Sequence, residues 1–559
     1  MPRFASMTAV GSRLCHSAVL LGSASLPLPV NAPFEMSSSC AAIYLSPVAA
    51  PRPDIVLLVL DTRRIDRFAC LGYPTRTSPH LDAFAEDCAR FRMAFSPAQW
   101  SVPAHASLFT GEYPSAHGMF QTTSVLSPHL PTLAERLSQA GYFTAAFCNN
   151  PLVGVVNNGL RRGFSSFLNY VGLITTHPNQ ASPRSGLVDK YRQWFKRQFS
   201  ALVSEIQAFV ARSERLTELS FTPLFFPLWQ AALSLKGNSR RALEDAARLL
   251  IKREGLTKGQ PVFCFINLMD THMPYHAPRR LVERFAPQYF ADPELRSYLR
   301  RFNSDAFGWL APLEDDIAPA HQALLNGMYD AQAAWQDELV GAFLERLRAA
   351  GALDRALFII TADHGEHLGE RQLVGHTISL YNELIHVPLL IRDPAGRLAA
   401  GDVDHVVSSR RLFHTALTTA GAASDEERAL DLAQVGPNDP EQGEAFAEAV
   451  LPLNVQRLLM RRKPELARRR GADRRRIAIC RDGYKLIQTG ADHFELYDLR
   501  NDPTESHNLY DALPEQAAML GERLRAFAVR PSSHRATEQA TTSDDPLVLS
   551  RLRDLGYLE

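Results

Sequence analysis

Asp54-Ile-Val-Leu-Leu-Val-Leu60, followed directly by Asp61-Thr62, is the stretch that sets the fold class. After Asp54 it has no polar position. A strand with one wet face alternates apolar and polar residues. An unbroken apolar run of this length reads as a strand covered on both faces. Covering both faces takes helices, and the chain supplies them. Similar apolar runs are Tyr142–Phe147, Val262–Ile266, Ala356–Ile360 and Val387–Ile391. Between them, Leu130 to Ala140 has a helical pattern that ends at Gly141, a residue type suited to the position after a helix. Trp335, Leu339, Phe343 and Leu347 recur every four residues ahead of Gly351, which gives a helix one apolar face. Strands alternating with helices predict an α/β domain with a mostly parallel central sheet flanked by helices.

In such sheets ligands bind beyond the carboxyl ends of the strands. Asp61 and Thr62 follow the first run, and Asn149 and Asn150 the second. Asn267, Asp270 and His272 follow the third, and Asp363 and His364 the fourth. One such end is an ordinary turn; four together predict a site. Trp100-Ser-Val-Pro-Ala-His-Ala-Ser-Leu-Phe-Thr-Gly111 adds a helix with Pro103 in its first turn and Gly111 at its end. Ser101 then lies at a helix N-terminus, where free N–H groups favour an anion. Taken alone, Ser101 reads as an N-cap. Beside the ligand types at the strand ends, it reads as part of the site.

Composition narrows the classes. The chain has 559 residues, 46% of them hydrophobic, with 60 Lys+Arg against 60 Asp+Glu. That apolar fraction suffices for a large core and excludes a disordered or collagen-like chain. Zero formal charge argues against a dedicated nucleic-acid binder. The seven cysteines are scattered without a CxxC pair, so neither a zinc ribbon nor a disulfide framework is expected. No apolar stretch is long enough to suggest a membrane-spanning helix.

From Pro53 onward the order of motifs resembles that of the sulfatases, within the alkaline phosphatase superfamily. The resemblance begins with Asp61-Thr-Arg-Arg, Thr77-Ser-Pro-His-Leu-Asp82, the Ser101 to Gly111 segment and Tyr113-Pro-Ser-Ala-His-Gly118. It continues with Asp270-Thr-His-Met-Pro-Tyr275 and Thr361-Ala-Asp-His-Gly-Glu366 followed by Gly375-His376. It closes with Tyr484-Lys-Leu-Ile487, Glu495-Leu-Tyr-Asp-Leu499, Asp502-Pro-Thr-Glu505 and Leu555-Gly-Tyr-Leu558. It implies an alkaline-phosphatase-like fold and a hydrolase of sulfuric or phosphoric esters. It implies that Asp61, Asp363 and His364 ligate a metal, and that Ser101 is a nucleophile that also touches the metal. It implies that His272 binds the transferred group or protonates the leaving oxygen, and that His376 faces the anionic group. Asn149 or Asn150 falls near a family Lys position, and His105 falls where many sulfatases have Arg. These three are candidates for contact with substrate.

Two departures from the family pattern bear on the chemistry. Many sulfatases carry Cys or Ser followed by x-Pro-x-Arg, and the first residue is oxidised to formylglycine. Here the string is Ser101-Val-Pro-Ala-His105, so unmodified serine is expected. A hydrated aldehyde expels sulfate by elimination from its second hydroxyl, which plain serine lacks. A phosphoserine is resolved by in-line attack, so serine tilts the expectation toward phosphate esters, diesters included, or phosphonates. Typical calcium sulfatases also place a second Asp after the first and an Asn after the third, where this chain has Thr62 and His364. Fewer charged oxygens and an added nitrogen favour Mn²⁺ or Zn²⁺ as the one divalent ion, with Ca²⁺ still open. This resembles phosphonate monoester hydrolases and phosphoethanolamine-type transferases. A second ion held by Asp270, His272 and His376 is a minor alternative.

Outside the motifs, residues 1–50 read as a leader, disordered or targeting. Residues 51–439 read as the catalytic domain, with a helical insert at about 171–260. Residues 440–559 read as a small C-terminal α+β subdomain. In the insert, Phe195, Phe199, Leu202, Ile206 and Phe209 line one helical face. Residues 190–235 are therefore a candidate for peripheral membrane contact, although a helix packed over the catalytic domain is the plainer reading. The arginines between Arg461 and Arg476 are expected in a solvated loop, with steering of an anionic polymer as the alternative. Cytoplasmic placement is favoured, and export follows if the leader is a signal. The partner implied is a small or polymeric anionic ester, with no nucleic acid. Two rival functions stand beside hydrolysis: a phospho-head-group transferase at a membrane surface, and a non-catalytic binding protein on the same fold. The joint presence of Asp61, Ser101, Asp363 and His364 argues against the second.

Overall fold

The computed structural model describes residues 52–154, 156–170, 236–305, 307–376 and 378–529. The leader, the apolar helical face of the insert, the 190–235 segment and the Leu555–Leu558 motif lie outside the described residues. The central sheet is built from β1 (Asp54–Leu60), β2 (Ala89–Phe95), β3 (Phe143–Cys148), β4 (Ser166–Asn169), β5 (Val262–Leu268) and β6 (Ala356–Thr361). After a short ribbon, β7 (His367–Leu368) and β8 (Val374–Gly375), it is completed by β9 (Leu389–Arg392) and β10 (Gly401–Ser408). The order across the eight-stranded sheet is β10-β2-β9-β6-β1-β5-β3-β4. Neighbours run parallel except where β9 pairs with β6 and β2. The Val387–Ile391 run is thus a strand, and it is the antiparallel member of a mostly parallel sheet.

β1 lies inside the sheet, with every residue buried. Ile55, Leu57 and Val59 pack into one hydrophobic cluster, and Val56, Leu58 and Leu60 into the cluster on the other face. This is why the run has no polar alternation. Each fully buried side chain of this size contributes roughly 1.5–3 kcal/mol. The first cluster includes Leu133 and Leu137 of helix Leu133–Gln139, which opens with a capping box between Thr132 and Glu135. The second takes Leu339, Phe343 and Leu347 from a 31-residue helix, Pro319–Ala349. It also takes Ala242, Leu243, Ala246 and Leu250 from helix Ser239–Lys252. The described end of the insert therefore packs on the sheet.

A second sheet of four antiparallel strands follows: β11 (Glu444–Ala449), β12 (Arg476–Arg481), β13 (Tyr484–Thr489) and β14 (His493–Asp498). Helix Pro514–Ala528 lays Leu520, Leu524 and Phe527 on Ile477, Ile479 and Leu486 of this sheet. The arginine-rich stretch is not the expected solvated loop. Its first part forms helices Leu453–Arg462 and Pro464–Arg469. Val455, Leu459, Ala467 and Ala472 bury against Leu310, Leu373 and Ile378, and that apolar stripe holds the arginines in place.

The motif residues of the second sheet clamp the first. Lys485 of β13 and Glu505 form an ion pair in which neither side chain is exposed. Lys485 Nζ also donates to the Leu380 carbonyl at 3.0 Å and to Asn382 Oδ1 at 2.8 Å. Glu505 Oε2 accepts from the Asn382 N–H at 2.6 Å. The segment after β8 is thereby fixed to the C-terminal sheet. Removing one partner of such a pair strands the other charge. Lys485→Met is expected to lose about 3–5 kcal/mol in chemical denaturation. The double variant Lys485→Met/Glu505→Leu should recover much of that loss.

Candidate active site

Strand register brings the functional ends level. Val59 of β1 pairs with Asn267 of β5 and with Thr361 of β6. Asp61 and Asp363 each lie two residues further on, so both emerge on the same edge of the sheet. One ligand atom from each of Asp61, Asp363 and His364 lies within 4.8 Å of the others, and all three residues are buried. Asp61 Oδ1 and Asp363 Oδ2 are buried without a hydrogen-bond partner. A buried carboxylate oxygen without a donor is costly, and a divalent cation is what this donor set would satisfy. Burial and then the neighbouring Asp363 push the Asp61 carboxyl above its usual range, and burial does the same to Asp363. A cation between them would reverse both shifts. The three side chains therefore fit one divalent ion. Among the described residues this is the one such group. Asp270 does not gather His272 and His376 into a second; its Oδ2 takes the Ser239 hydroxyl at 2.6 Å.

Helix Ser101–Thr110 has Trp100 at its N-cap and no side-chain capping bond there. Ser101 is thus free of the capping role. Its Oγ lies 3.2 Å from His364 Nε2 and accepts from Asn150 Nδ2 at 3.0 Å. The same Asn150 nitrogen donates to Asp61 Oδ2 at 2.7 Å. His364 Nδ1 lies 2.9 Å from the Gly365 carbonyl. A carbonyl only accepts, so Nδ1 carries the proton and Nε2 presents its lone pair to Ser101. Burial pushes the His364 pKa down to about 3, which keeps that lone pair available. His272 is set in the same way, with Nδ1 at 2.6 Å from the Met273 carbonyl. His376 Nδ1 lies 2.6 Å from Glu366 Oε1, and Glu366 Oε2 accepts from the Met273 N–H at 3.3 Å. Ring centroids separate His376 from His272 by 5.0 Å and from His364 by 4.5 Å. The three histidines form one wall beside Ser101.

The remaining candidates divide. Asn150 bridges Ser101 and Asp61, as above. Asn149 points elsewhere and donates to Ser239 Oγ at 2.9 Å, which ties β3 to helix Ser239–Lys252. His105, one turn after Ser101, is fully buried. Its Nδ1 meets the Ser101 carbonyl at 2.9 Å and Asp363 Oδ2 at 3.4 Å, and its Nε2 lies 3.4 Å from Asn267 Nδ2. That placement suits holding Ser101 and Asp363 more than touching a substrate. Thr62 adopts a left-handed φ of 59°, strained for a β-branched residue. Its carbonyl is held by the Tyr329 hydroxyl at 2.7 Å, and the Asp61 carbonyl by Thr271 Oγ1 at 2.6 Å.

Three residues were not singled out for a role by sequence. Glu366 stood inside the Asp-His-Gly-Glu string, and Asn267, which donates to Asp61 Oδ2 at 3.3 Å, stood at a strand end. Lys236 had no signal, because it lies inside the insert, away from the family motifs. Its Nζ donates to the Asp270 carbonyl at 2.8 Å and lies 5.9 Å from the Tyr275 ring, beside the turn that carries His272.

Carboxylates, imidazoles and a helix-borne serine meet at the carboxyl edge of this sheet, and the comparisons with known proteins give this arrangement its class, an ester hydrolase of the alkaline phosphatase superfamily. The sulfatase family profile matches residues 53–422, and the chain belongs to that family. It is 23% identical to the uncharacterized sulfatase YidJ of Escherichia coli (strain K12), over 82% of this chain and 83% of that protein. It is 22% identical to a choline-sulfatase of Rhizobium meliloti (strain 1021), over 82% of each. Its fold is similar to the crystal structure of a phosphonate monoester hydrolase of Agrobacterium radiobacter. The TM-score there is 0.57 at 19% identity, covering 85% of this chain and 95% of that one. Membership in an enzyme family, with the site assembled, removes the non-catalytic alternative.

Burial pushes the Lys236 ammonium down to about 7. Its charge is therefore present below that pH and lost as pH rises through it. KM for an anionic ester is expected to rise over the same interval. Lys236→Met should give a high KM that no longer changes there. A pH profile of KM identical in the two proteins would exclude Lys236 from substrate binding.

Proposed function

We propose that this sulfatase-family hydrolase is metal-dependent and cleaves sulfate, phosphate or phosphonate esters through a covalent ester on Ser101. Support comes from one placement. Ser101 Oγ sits 3.2 Å from the neutral His364 ring and 3.0 Å from the Asn150 amide, beside two carboxylate oxygens that accept no hydrogen bond. Asp61, Asp363 and His364 would hold one divalent ion, with Ser101 beside it, and the ion supplies Lewis-acid charge. Two carboxylates and one imidazole suit Mn²⁺ or Zn²⁺ better than Ca²⁺.

In this reading the chain's own groups do the following. Asn150 orients Ser101 by donating to Oγ. Ser101 Oγ forms the new bond to sulfur or phosphorus as the ester oxygen departs in line. His272 presents Nε2, whose lone pair is left free because Nδ1 holds the proton against the Met273 carbonyl; it takes up the proton that Ser101 gives up and passes it to the leaving oxygen. His376 meets Glu366 through Nδ1 at 2.6 Å, and burial holds both groups neutral, so the ring offers the anion a hydrogen bond from its other nitrogen rather than a full charge. Water then attacks the same centre and returns the Ser101 oxygen.

An unmodified Ser101 favours phosphorus esters, because a serine sulfo-ester has no second hydroxyl from which to eliminate. The likeness to a phosphonate monoester hydrolase agrees with that choice, and the relation to a choline-sulfatase keeps sulfate in the panel. Residues 51–439 form the catalytic domain and 440–559 the C-terminal subdomain in this reading.

The test is a panel of nitrophenyl sulfate, phosphate monoester, phosphate diester and phosphonate, each with Mn²⁺, Zn²⁺ and Ca²⁺. Ser101→Ala is expected to lose roughly a thousandfold or more in turnover, with bound metal unchanged by elemental analysis. Full activity in that variant would sink the covalent scheme. Asp363→Asn should lose metal and activity together. Mass spectrometry of the Ser101 peptide is expected to show plain serine; formylglycine there would move the substrate to sulfate.

A further inference from the structure

Arg371, Arg468, Arg469, Arg470, Arg474 and Arg476 line a cavity of about 520 Å³. Helix Pro464–Arg469 and the start of β12 form one side of it. Leu373, Ile378 and Ser379 form the other, and these residues bracket His376 along the chain. The carboxylates in the lining are Asp492 and Glu495. Arg474 pairs with Asp492 at 2.9 Å, Arg371 with Glu383 at 2.8 Å and Arg468 with Glu465 at 3.0 Å. Glu495 Oε1 accepts from the Tyr381 and Tyr497 hydroxyls at 2.8 and 2.9 Å, and its Oε2 lies 3.8 Å from His493 Nε2.

Three arginines have no carboxylate within ion-pair distance among the described residues: Arg469, Arg470 and Arg476. Arg476 is held by the backbone carbonyls of Gly471, Arg474 and Arg470 at 3.1, 3.3 and 2.5 Å. Arg470 reaches the Arg371 carbonyl at 3.2 Å and the Gln372 side chain, and its buried Nε finds no acceptor. Neutral acceptors fix a guanidinium in place without cancelling its charge. Burial lowers the pKa of both groups, and for Arg470 the neighbouring Arg469 adds to the shift. The cavity is thus a concave, pre-positioned site with surplus positive charge. Planar guanidinium forks match the oxygens of a tetrahedral oxyanion. The pocket is concave, which suits a single group better than a flat lipid surface.

We propose that this cavity binds a sulfate or phosphate group and, on a ligand bearing two such groups, holds the one that is not cleaved. The inference rests on the catalytic site being an oxyanion-ester hydrolase. Leu373, Ile378 and Ser379 of the lining lie within three residues of His376 along the chain, so one segment serves both the cavity and the catalytic loop, and that is the ground for placing both groups on one extended ligand. A free inorganic oxyanion has the same chemistry, and the test separates the two sources.

Calorimetric titration of the full chain with inorganic sulfate and inorganic phosphate is expected to reveal two sites. Arg469→Gln/Arg470→Gln should lose one and keep the other. Because Arg470 also holds Gln372, Arg469→Gln alone is the second variant; Arg469 is exposed at a helix end, and the same site should weaken about tenfold. Glucose 1,6-bisphosphate should bind at least tenfold tighter than glucose 1-phosphate, and both variants should erase that advantage. Two inorganic sites without a bisphosphate advantage would assign the cavity to a free oxyanion. A single inorganic site, or two that survive in both variants, would overturn the proposal. So would loss confined to binding of phosphatidylglycerol vesicles. These titrations need no turnover, so failure here is distinct from failure of the Ser101 scheme.

Discussion

Two buried carboxylates at the ends of adjacent parallel strands are the constraint from which the rest of the structure follows. Asp61 and Asp363 are both 0% exposed. Withdrawing one such charge from water costs several kcal/mol, and a like charge beside it adds to the cost. Neutral donors offset part of this. Asn150 and Asn267 donate to Asp61 Oδ2 at 2.7 and 3.3 Å, and the His364 N–H donates to Asp363 Oδ1 at 3.0 Å. The oxygens left over, Asp61 Oδ1 and Asp363 Oδ2, are the ones a cation would take.

Holding that arrangement requires rigid neighbours, and the chain recruits them from far away in sequence. The strained turn at Thr62 is pinned by Tyr329, which sits on the long helix and also accepts from the Arg64 N–H at 2.9 Å. Arg64 in turn donates to the Glu366 carbonyl at 3.1 Å and to Glu370 at 2.7 Å, bracing the loop that carries His364 and His376. The same loop is fixed further on by Lys485 and Glu505 from the second sheet. A short buried motif and a distant C-terminal one therefore serve a single loop.

Much of this was legible from local pattern. The unbroken apolar runs read correctly as strands covered on both faces, because two-sided burial removes the polar positions. Asp61, Asp363, His364 and Ser101 were legible because strand ends and a helix start are where such a sheet presents side chains. The antiparallel direction of β9 was not legible, since an apolar run has no polarity. The helices around Arg461 to Arg469 were overlooked because the arginines masked a thin apolar stripe. Asn149 and Asn150 are adjacent and identical in type, yet one faces Ser101 and the other Ser239.

By itself, the sequence determined the α/β class, the edge of the sheet that carries chemistry and the set of residue types found there. These depend on periodicity and on what each side chain can bond. Only the tertiary structure decided that His105 lies behind Ser101, that Lys236 stands near His272, and that six arginines surround one cavity. Such facts depend on which segments pack together, as Lys236 does on Asp270 and His105 on Asp363. Neither propensity nor spacing encodes which of two neighbouring side chains will meet a partner on another element.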